Sequence, residues 1–555
     1  MILPQAVFAS TMKRKRLQQG LPPKATQAAS VGDEANLLEF TVQNSRARGG
    51  SIDYYQEVAM YQAGAANLAE LVEWPKRLVS DLFNLGIEAG RDRMHRFRDV
   101  IDAGIICCTD YSGKRGPEML FRMMSPSLGL KPFLHSYYAC DISPTCRGVL
   151  LGRDDCPCHV FPELHSRLPP GAGDHLRGLE PASKADVPHA SQAYRDMADF
   201  LESRKGEMFH SSSKSQCLSH PGQQCLVNPL SDSHFVKRVQ GSSNIRPLVA
   251  NIAGTSCTPW SPQGSRRGLG HEAMAPYYLW HIERTVRQED IIGHENSQFF
   301  PTWLFTNGLS ASHFIITLTT SPEDFGWPLR RRRKFSLALN RSSLIWVGPS
   351  TLQGIKEEFT NLFCRRVVLD GDVFICDTEQ ARAEYLNHWS RRRGTFLRKD
   401  SPIANFDMRM ILRGFQLKSF DQYKKLYETQ ERFSRCFIAD LSQNPDSHSV
   451  TSAFMPTQIT HSCLYSFSAT SAFTPSELIL AHGWPCVPGT CDTTLMPFDF
   501  RRLAPSQQVH LSGNAMHLPT LAAFYFYVLS NCVRRDKPQT FDFLPPAGSE
   551  EDEVS

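Results

Sequence analysis

Short apolar runs alternate with longer amphipathic stretches through the middle of this 555-residue chain. The runs GIICCTD at 104–110, SYYACDIS at 136–143 and PLVANIAG at 247–254 have the length and composition of buried strands. Between them lie stretches such as EAMAPYYLWHIERTVRQ at 272–288, whose apolar residues recur at the spacing of one helix face. This alternation predicts an α/β domain built on a mostly parallel, twisted sheet with helices on both faces.

The pattern changes at several points outside this middle region. Residues 1–50 are polar, whereas the stretch that follows has helical periodicity interrupted by Pro75. Residues 165–245 are rich in Ser, His, Pro and Gly and are typical of an insertion. We therefore expect an N-terminal extension at 1–100 that is partly disordered and then helical, an α/β domain at 101–345 that contains the insertion, a smaller basic domain at 346–465, C-terminal motifs at 466–535 that return to the first domain, and an acidic disordered tail at 536–555.

Charge is distributed unevenly, although the formal net charge is only +4. The segment 381–436 has thirteen Lys or Arg residues against six Asp or Glu, and RRRRK at 330–334 is a second basic cluster. A basic face on a nearly neutral chain indicates a polyanionic partner such as nucleic acid, although any single run is also explained by a solvated helix face. The sequence KRKR at 13–16 is consistent with a nuclear address.

Other classes of protein are disfavoured. No run reaches the roughly 18 apolar residues that a membrane-spanning helix needs, so we expect a soluble, intracellular protein. The sixteen cysteines are irregularly spaced and do not resemble a disulfide framework. The sequence CPCH at 156–159 has no second pair of ligands beside it at metal-binding spacing, and we therefore predict no metal site.

Candidate chemistry lies where the predicted strands end, because parallel sheets bind ligands at the carboxyl ends of their strands. Gly113 and Gly116 follow the first strand, and glycines let a backbone approach a cofactor closely. Asp141 follows the second strand, where an acid either accepts hydrogen bonds from a ribose diol or caps the next helix. Glu163 follows the third strand, and Cys257 lies in a small, polar loop after the fourth.

The order of these features resembles the C5-cytosine DNA methyltransferase family. After the glycine turn, the two acids and Cys257, the chain continues with HEN, GWPLRRRRKF, AFTPSEL and LSGNAMHL. The resemblance covers roughly residues 104–345 and 455–530. It implies a Rossmann-like methyltransferase fold with a smaller target-recognition domain. The implied function is transfer of a methyl group from S-adenosylmethionine to C5 of cytosine in DNA.

The resemblance also assigns a cofactor site. The turn 111–116 corresponds to the family's glycine-containing cofactor turn, Asp141 to the acid at the ribose, and Glu163 to the acid beside the adenine amino group. Asn514 belongs to the final Gly-Asn motif, whose helix returns to the cofactor. The residues implied in binding S-adenosylmethionine are Tyr111, Ser112, Gly113, Gly116, Asp141, Glu163 and Asn514.

Four further residues are implied in the chemistry. Cys257 corresponds to the nucleophile that adds to C6, since C5 of cytosine is not nucleophilic enough to take a methyl group directly. Glu295, which lies 38 residues after Cys257, corresponds to the acid that donates a proton to N3. Arg331 and Arg333 correspond to the two arginines that hold the base and supply positive charge. The base cannot be reached inside a duplex, so the implied enzyme flips it out.

The chain departs from the family pattern at four positions. Ser256 replaces the Pro before the nucleophile, and Leu329 replaces the Gln of the arginine motif. In the cofactor site, Arg115 replaces a small residue and Glu163 replaces Asp. Two alternatives therefore stay open beside an active DNA enzyme: the same chemistry on a structured RNA such as transfer RNA, and a catalytically silent paralogue that binds nucleic acid.

Overall fold

The computed structural model describes residues 37–41, 61–182, 184–394, 406–429, 436–448 and 453–536. Its strands are β1 (Leu37–Thr41), β2 (Ile105–Asp110), β3 (Leu134–Cys140), β4 (His159–Phe161), β5 (Lys214–Gln216), β6 (Gln224–Leu226), β7 (Leu248–Gly254), β8 (Ile291–Ser297), β9 (His313–Thr320), β10 (Arg333–Asn340), β11 (Leu344–Trp346), β12 (Ile438–Asp440), β13 (Leu464–Ser466), β14 (Ser471–Ala472) and β15 (Cys532–Arg534).

The described α-helices are α1 (Leu68–Val72), α2 (Trp74–Leu82), α3 (Glu88–Ile101), α4 (Gly116–Ser127), α5 (Pro144–Leu151), α6 (Ala172–Leu179), α7 (Val187–Ser203), α8 (Lys205–Met208), α9 (Ser233–Gln240), α10 (Met274–Arg287), α11 (Thr302–Thr306), α12 (Leu352–Phe363), α13 (Glu379–Arg392), α14 (Phe415–Thr429), α15 (Pro445–His448), α16 (Pro475–Leu480), α17 (Pro505–Gly513) and α18 (Leu518–Ser530). Among them, none combines the length and the apolar character that a membrane-spanning helix needs.

A central sheet of eight strands in the order β1-β9-β10-β8-β7-β2-β3-β4 organises the fold. Neighbouring strands are parallel except for β10, which is antiparallel to both β8 and β9. The chain runs from β2 outward to β3 and β4, and later from β7 outward to β8 in the opposite direction. Ligands of open α/β sheets bind at the carboxyl ends of the strands where the winding reverses, which here is the crevice between β2 and β7.

Successive residues of the central strands face two different cores, as the pleat of a strand requires. Ile105 and Cys107 of β2 pack in one core with α3, α4 and α18, whereas Ile106 and Cys108 pack in the other with α7 and α10. Every residue of α18 is buried, which explains its apolar sequence LPTLAAFYFYVLS. The predicted mostly parallel sheet with helices on both faces is confirmed.

The segment predicted as an insertion supplies part of one face of this sheet. Tyr194, Met197 and Leu201 of α7 are buried in the same core as Trp280 of α10. A short antiparallel hairpin of β5 and β6 follows. The composition of 165–245 predicts turns and loops, but the apolar face of α7 packs in the core of the α/β domain.

The N-terminal region is also integrated more deeply than the sequence indicates. Residues 37–41, predicted as polar loop, form β1 and extend the sheet by pairing with β9. Pro75 stands in the first turn of α2, where its missing N–H costs nothing, and therefore starts a helix. The buried indole of Trp74 donates a hydrogen bond to the carbonyl of Gly483 at 3.1 Å. The KRKR sequence lies outside the described residues.

A smaller core forms around the three-stranded antiparallel sheet of β12, β13 and β14. It contains aromatic residues from Tyr385 to Phe467 contributed by α13, α14 and these strands. The sequence predicts that this unit starts at residue 346. Its core begins later in the chain, because Phe359 and Phe363 of α12 pack on Tyr527 in the larger core. Apart from Asp536, which pairs with Arg534, the residues of the predicted acidic tail lie outside the described residues.

A buried network of charges lies below the carboxyl ends of β2 and β7. Arg167 Nη1 is 2.9 Å from Asp110 Oδ1, and Arg167 Nη2 donates to Glu283 Oε2 at 2.8 Å. Arg284 pairs with Glu283 at 2.7 Å, and Asn251 Nδ2 donates to Asp110 Oδ2 at 2.9 Å. Burial alone would raise the pKa of Glu283, but Arg167 and the other arginines around it lower the pKa well below its usual range. The network joins β2, β7 and α10 directly beneath the crevice.

We expect Arg167→Ala to lower the free energy of unfolding by about 3–5 kcal/mol, because it removes the closest cation from buried Asp110, which then keeps only Arg284 at 4.0 Å, and one of the arginines paired with buried Glu283. Urea denaturation at neutral pH measures the change. Arg177→Ala is the matched control, since Arg177 pairs with Glu163 at the surface with half of its side chain exposed, and its loss costs about 1 kcal/mol or less. Equal losses for the two variants would contradict the role given to the network.

Candidate active site

The turn between β2 and α4 has an uncommon backbone. Tyr111, Gly113 and Arg115 have positive φ values of 52°, 52° and 65°, and the two non-glycine residues are strained in that region. Asp141, directly after β3, fixes the turn by accepting hydrogen bonds from the N–H of Gly113 at 2.7 Å and of Ser143 at 2.8 Å. A Cβ built at Gly113 would have no atom within 4 Å, so the backbone here borders open space.

Ser112 is a structural part of this turn. Its N–H donates to the carbonyl of Cys140 at 3.0 Å, and its Oγ accepts from the N–H of Cys140 at 2.9 Å. The hydroxyl also donates to the carbonyl of Thr109 at 2.8 Å. Ser112 thereby joins the carboxyl ends of β2 and β3 and holds Asp141 beside the turn.

Arg115, where a small residue is expected, is buried and fully engaged. Its Nε donates to Glu118 Oε1 at 2.8 Å, and its Nη1 donates to the carbonyl of Asp155 at 2.6 Å. Asp155 also pairs with Arg153, so that its carboxylate is shared by more than one arginine. The bulky side chain is accommodated because its charge is neutralised by Glu118 and Asp155.

Three further residues of the predicted cofactor site lie around the same edge. The hydroxyl of Tyr111 is buried and has no hydrogen-bond partner among the described residues. Gly116 opens α4, and a Cβ there would lie 3.4 Å from Met516. Glu163, beyond β4, pairs with Arg177 at 3.5 Å and is about one third exposed, so its carboxylate is shared with a surface arginine.

Cys257 lies three residues beyond β7 and is half-buried. Its carbonyl accepts hydrogen bonds from the N–H of Trp260 at 3.0 Å and of Ser261 at 2.9 Å, which turns the chain sharply after the thiol. Asn296 of β8 clamps the start of the loop, because its Nδ2 donates to Thr255 Oγ1 at 2.8 Å and to the carbonyl of Thr255 at 3.2 Å. The side chains of β8 therefore position the thiol-bearing loop.

Glu295 stands at the base of this loop. It pairs in register with Gly254, and a Cβ built at Gly254 would lie 3.5 Å from Glu295 Oε2 and 2.7 Å from Met516 Cε. Only glycine fits there without displacing Met516. Arg333, the first residue of β10, lies with its Nε 3.2 Å from Glu295 Oε1. A carboxylate and a guanidinium thus form an ion pair directly below the cysteine loop.

Arg331 has a different environment from Arg333. Its side chain is buried, and it donates to the carbonyls of Gln458 at 3.2 Å and of Gly513 at 3.0 Å. Burial, together with the charge of Arg333, lowers the pKa of Arg331 to about 9, so the guanidinium is still charged at neutral pH. Arg331 therefore holds two distant segments of the chain against the ion pair.

A cavity of about 370 Å³ brings these parts together. Glu295 and Cys257 both act to raise the pKa of Arg331, which indicates that acid and thiol lie within electrostatic reach of the same guanidinium. Cys257 and Arg333 line this concave surface, and Glu295 pairs with Arg333. Arg331 binds the carbonyls of Gln458 and Gly513, two further lining residues. The cavity is lined by Cys257, Arg332, Arg333, Gly513, Asn514 and the loops 261–264, 297–299 and 457–461.

The predicted residues thus fall into two groups along the carboxyl edge of the sheet. The turn 111–116 and Asp141 lie beyond β2 and β3, while Cys257 and Glu295 lie at β7 and β8 on the other side of the switch point. Asn514, expected with the cofactor group, borders the cavity of Cys257. Glu163 lies apart and is paired with a surface arginine.

Three residues that help to form the site were not predicted from the sequence. Asn296 could have been found, because it adjoins Glu295 in the sequence HEN. Met516 lies close to Gly116 at the start of α4 and to Gly254 at the end of β7, and no sequence pattern marks it as a site residue. Gln458 contributes its main-chain carbonyl to Arg331, and no side-chain pattern reveals such a contact.

Similar solved structures are methyltransferases. Dnmt2 methyltransferase of S. pombe has a TM-score of 0.36 and 11% identity, over 76% of this chain and 98% of that one. The Entamoeba histolytica methyltransferase EhMeth has a TM-score of 0.36 and 13% identity, over 77% and 98%. DNMT2 of Spodoptera frugiperda, as a mutant, has a TM-score of 0.34 and 12% identity, over 77% and 99%.

Neither a protein-family model nor a curated protein matches the chain. At such low identity and TM-score, the structural likenesses carry no argument about substrate or mechanism. The functional assignment therefore rests on the geometry of this chain's own residues.

We expect Arg331→Ala to lower the free energy of unfolding by about 1–3 kcal/mol, because it leaves the carbonyls of Gln458 and Gly513 without their buried donor. Arg333→Ala, which removes a partly exposed partner of Glu295, should cost less. Urea denaturation of both variants gives the comparison. A loss for Arg333→Ala equal to or larger than that for Arg331→Ala would show that the bridging role is misassigned.

Proposed function

We propose that the protein transfers a methyl group from S-adenosylmethionine to C5 of cytosine in DNA, through a covalent adduct with Cys257. The proposal is carried by a cavity lined by Cys257 and by Arg333, whose guanidinium pairs with Glu295. The turn 111–116 and Asp141 follow β2 and β3, and β2 neighbours β7 at the switch point where α/β sheets bind their ligands.

The residues at β2 and β3 fit a nucleoside-type cofactor. The backbone at Gly113 borders open space, and the carboxylate of Asp141 keeps acceptor capacity for a ribose diol beyond its two bonds to N–H groups. The buried hydroxyl of Tyr111 has no partner among the described residues and could meet a ligand. When bound, S-adenosylmethionine supplies an electrophilic methyl group for C5.

In the proposed reaction, Cys257 acts on the base itself. Its thiolate forms a bond to C6, which moves electron density through the ring to C5 and makes that carbon nucleophilic. The charges of Arg331 and Arg333 stabilise the negative charge that builds on the ring. Glu295 donates a proton to N3 as this charge develops.

The ring is restored by elimination. Once C5 carries the methyl group, with S-adenosylhomocysteine as the leaving product, a base removes the C5 proton and the C6–S bond breaks. N3 gives its proton back to Glu295, and the thiolate of Cys257 is restored. The methyl group has then replaced the C5 proton, and the catalyst is unchanged. The closed turn after Cys257 and the clamp from Asn296 keep the thiol in one position through both steps.

The nucleic acid is proposed to lie across the cavity and the smaller domain. Arg391 and Arg392 at the end of α13 are exposed, whereas Arg393 lies over the ring of Trp389 and donates to Gln416 at 3.1 Å. The first two arginines are therefore suited to phosphate contacts, which position the substrate without reading its sequence. A structured RNA would be held by the same chemistry.

The covalent step predicts a trapped adduct with a target that carries 5-fluorocytosine. No base can abstract fluorine from C5, so the complex should survive denaturation, and only when S-adenosylmethionine is present. Cys257→Ala should abolish the adduct and methylation while leaving cofactor binding nearly unchanged. Glu295→Gln should slow adduct formation by about 100-fold or more. Denaturing gel electrophoresis and mass spectrometry measure the adduct.

Cys156→Ala is the control, because Cys156 is exposed and does not line the cavity. An adduct that persists in Cys257→Ala would assign the nucleophile to another cysteine. Duplex DNA and total RNA are tested in parallel, so that an adduct with RNA alone replaces the DNA proposal. Cofactor binding without an adduct on either substrate would identify a silent paralogue.

Phosphate contacts predict a specific salt dependence. The double variant Arg391→Ala/Arg392→Ala should weaken DNA binding and reduce the slope of log K against log salt by about 0.9 per lost contact. The variant Arg91→Ala/Arg98→Ala on α3 removes the same charge from exposed positions elsewhere and should leave the slope unchanged. Fluorescence anisotropy over a salt series measures both. An unchanged slope in the first variant would mean that α13 only presents a solvated face.

A further inference from the structure

Four metal-ligating side chains meet far from the cysteine loop. His159 is the first residue of β4, Cys217 directly follows β5, and Cys225 lies in β6. His220 lies in the loop that joins β5 to β6. We call this set the Cys2His2 cluster. Its members come from an edge strand of the central sheet and from the hairpin inside the segment 165–245.

The spacing of the ligand atoms is that of a tetrahedral site. Cys217 Sγ lies 3.7 Å from His159 Nδ1 and 3.5 Å from His220 Nδ1, and Cys225 Sγ lies 3.5 Å from His220 Nδ1. All four ligand atoms lie within 4.8 Å of one another. Zn–N bonds of about 2.0 Å and Zn–S bonds of about 2.3 Å at tetrahedral angles require an N···S separation of about 3.6 Å.

The backbone of the hairpin loop holds the ligands in this arrangement. The N–H of Gln223 donates to the carbonyl of His220 at 3.0 Å, and the N–H of Cys217 donates back to the carbonyl of Gln223 at 3.4 Å. Gly222 has a φ of 80°, which suits the tight turn after Pro221. The loop is thus closed by its own hydrogen bonds.

The hairpin is attached to β4 at the same place. The N–H of Leu218 donates to the carbonyl of Val160 at 2.8 Å, which brings the residue after Cys217 against the residue after His159. Two paired strands of three residues each are marginally stable in water on their own. The hydroxyl of Tyr137 in β3 also donates to the carbonyl of Leu226 in β6 at 3.1 Å, and a metal ion would add a stronger link to these two hydrogen bonds.

We propose that the Cys2His2 cluster binds one Zn²⁺ ion that fastens the β5–β6 hairpin to β4. Two thiolates and two imidazoles are the donor set that favours zinc over harder cations. Four protein ligands complete a tetrahedron and leave no position for water or substrate, so the ion is structural. This proposal is independent of the proposed methyl transfer.

The cluster also explains why the CPCH sequence is misleading on its own. Only His159 of that run belongs to the cluster, while Cys156 is exposed and Cys158 accepts a hydrogen bond from Arg238 at 3.4 Å. The remaining ligands come from CLSHPGQQC at 217–225, more than fifty residues later. The prediction of no metal site considered the CPCH sequence alone, whereas the proposed site depends on a pairing that only the tertiary fold produces.

The test is metal analysis of the full-length protein purified without chelator. We expect about one zinc per chain, and its loss from Cys217→Ser and from Cys225→Ser. Cys156→Ser and Cys158→Ser are matched controls and should retain it. Far-UV circular dichroism shows whether each variant is folded. In the reduced, metal-free protein, added Co²⁺ should give the visible bands of tetrahedral cobalt and a thiolate charge-transfer band.

A second variant keeps the proposal testable if the serine variants unfold. His220→Cys replaces one ligand by another and should retain zinc and the cobalt bands with altered intensity. Chelation of wild-type protein should lower its Tm, and zinc should restore it. The proposal is overturned if wild-type protein contains no zinc and binds no cobalt, if Cys217→Ser/Cys225→Ser retains the metal, or if mass spectrometry finds Cys217 and Cys225 joined in a disulfide.

Discussion

The buried guanidinium of Arg331 is the contact on which the candidate site depends. It donates to the carbonyls of Gln458 and Gly513, which lie 127 and 182 residues further along the chain. Burying a charge is costly unless hydrogen bonds compensate for the lost water. The buried position of Arg331 therefore favours a fold in which both segments contact it. The cavity beside Cys257 exists because these segments close over it.

A second set of buried charges supports the site from below. The ion pairs of Arg167 with Asp110 and Glu283 fix the end of β2 against α10. The turn that follows β2 is strained at Tyr111 and Arg115, and such a backbone persists only where its surroundings determine it. The hydrogen bonds from this turn to Asp141 and the charges beneath it supply that constraint.

Segments that look peripheral in the sequence are integrated into the same body. Trp74 reaches Gly483 with a buried hydrogen bond, α7 completes one face of the sheet, and the hairpin carrying Cys217 and Cys225 lies against β4. The hairpin therefore covers part of the β4 edge of the sheet.

The sequence by itself determined the parallel sheet and the order of the strand-end residues, because strands such as IICCTD are buried on both faces and their apolar pattern is local. The resemblance of its motifs also predicts that Cys257 and Glu295 act together, and the two residues lie at the neighbouring strands β7 and β8. Only the tertiary structure decided that Arg331 is a bridge while Arg333 pairs with Glu295. Such roles depend on carbonyls and ligands that approach from distant segments, as His159 meets Cys217, and no local pattern of side chains encodes that approach.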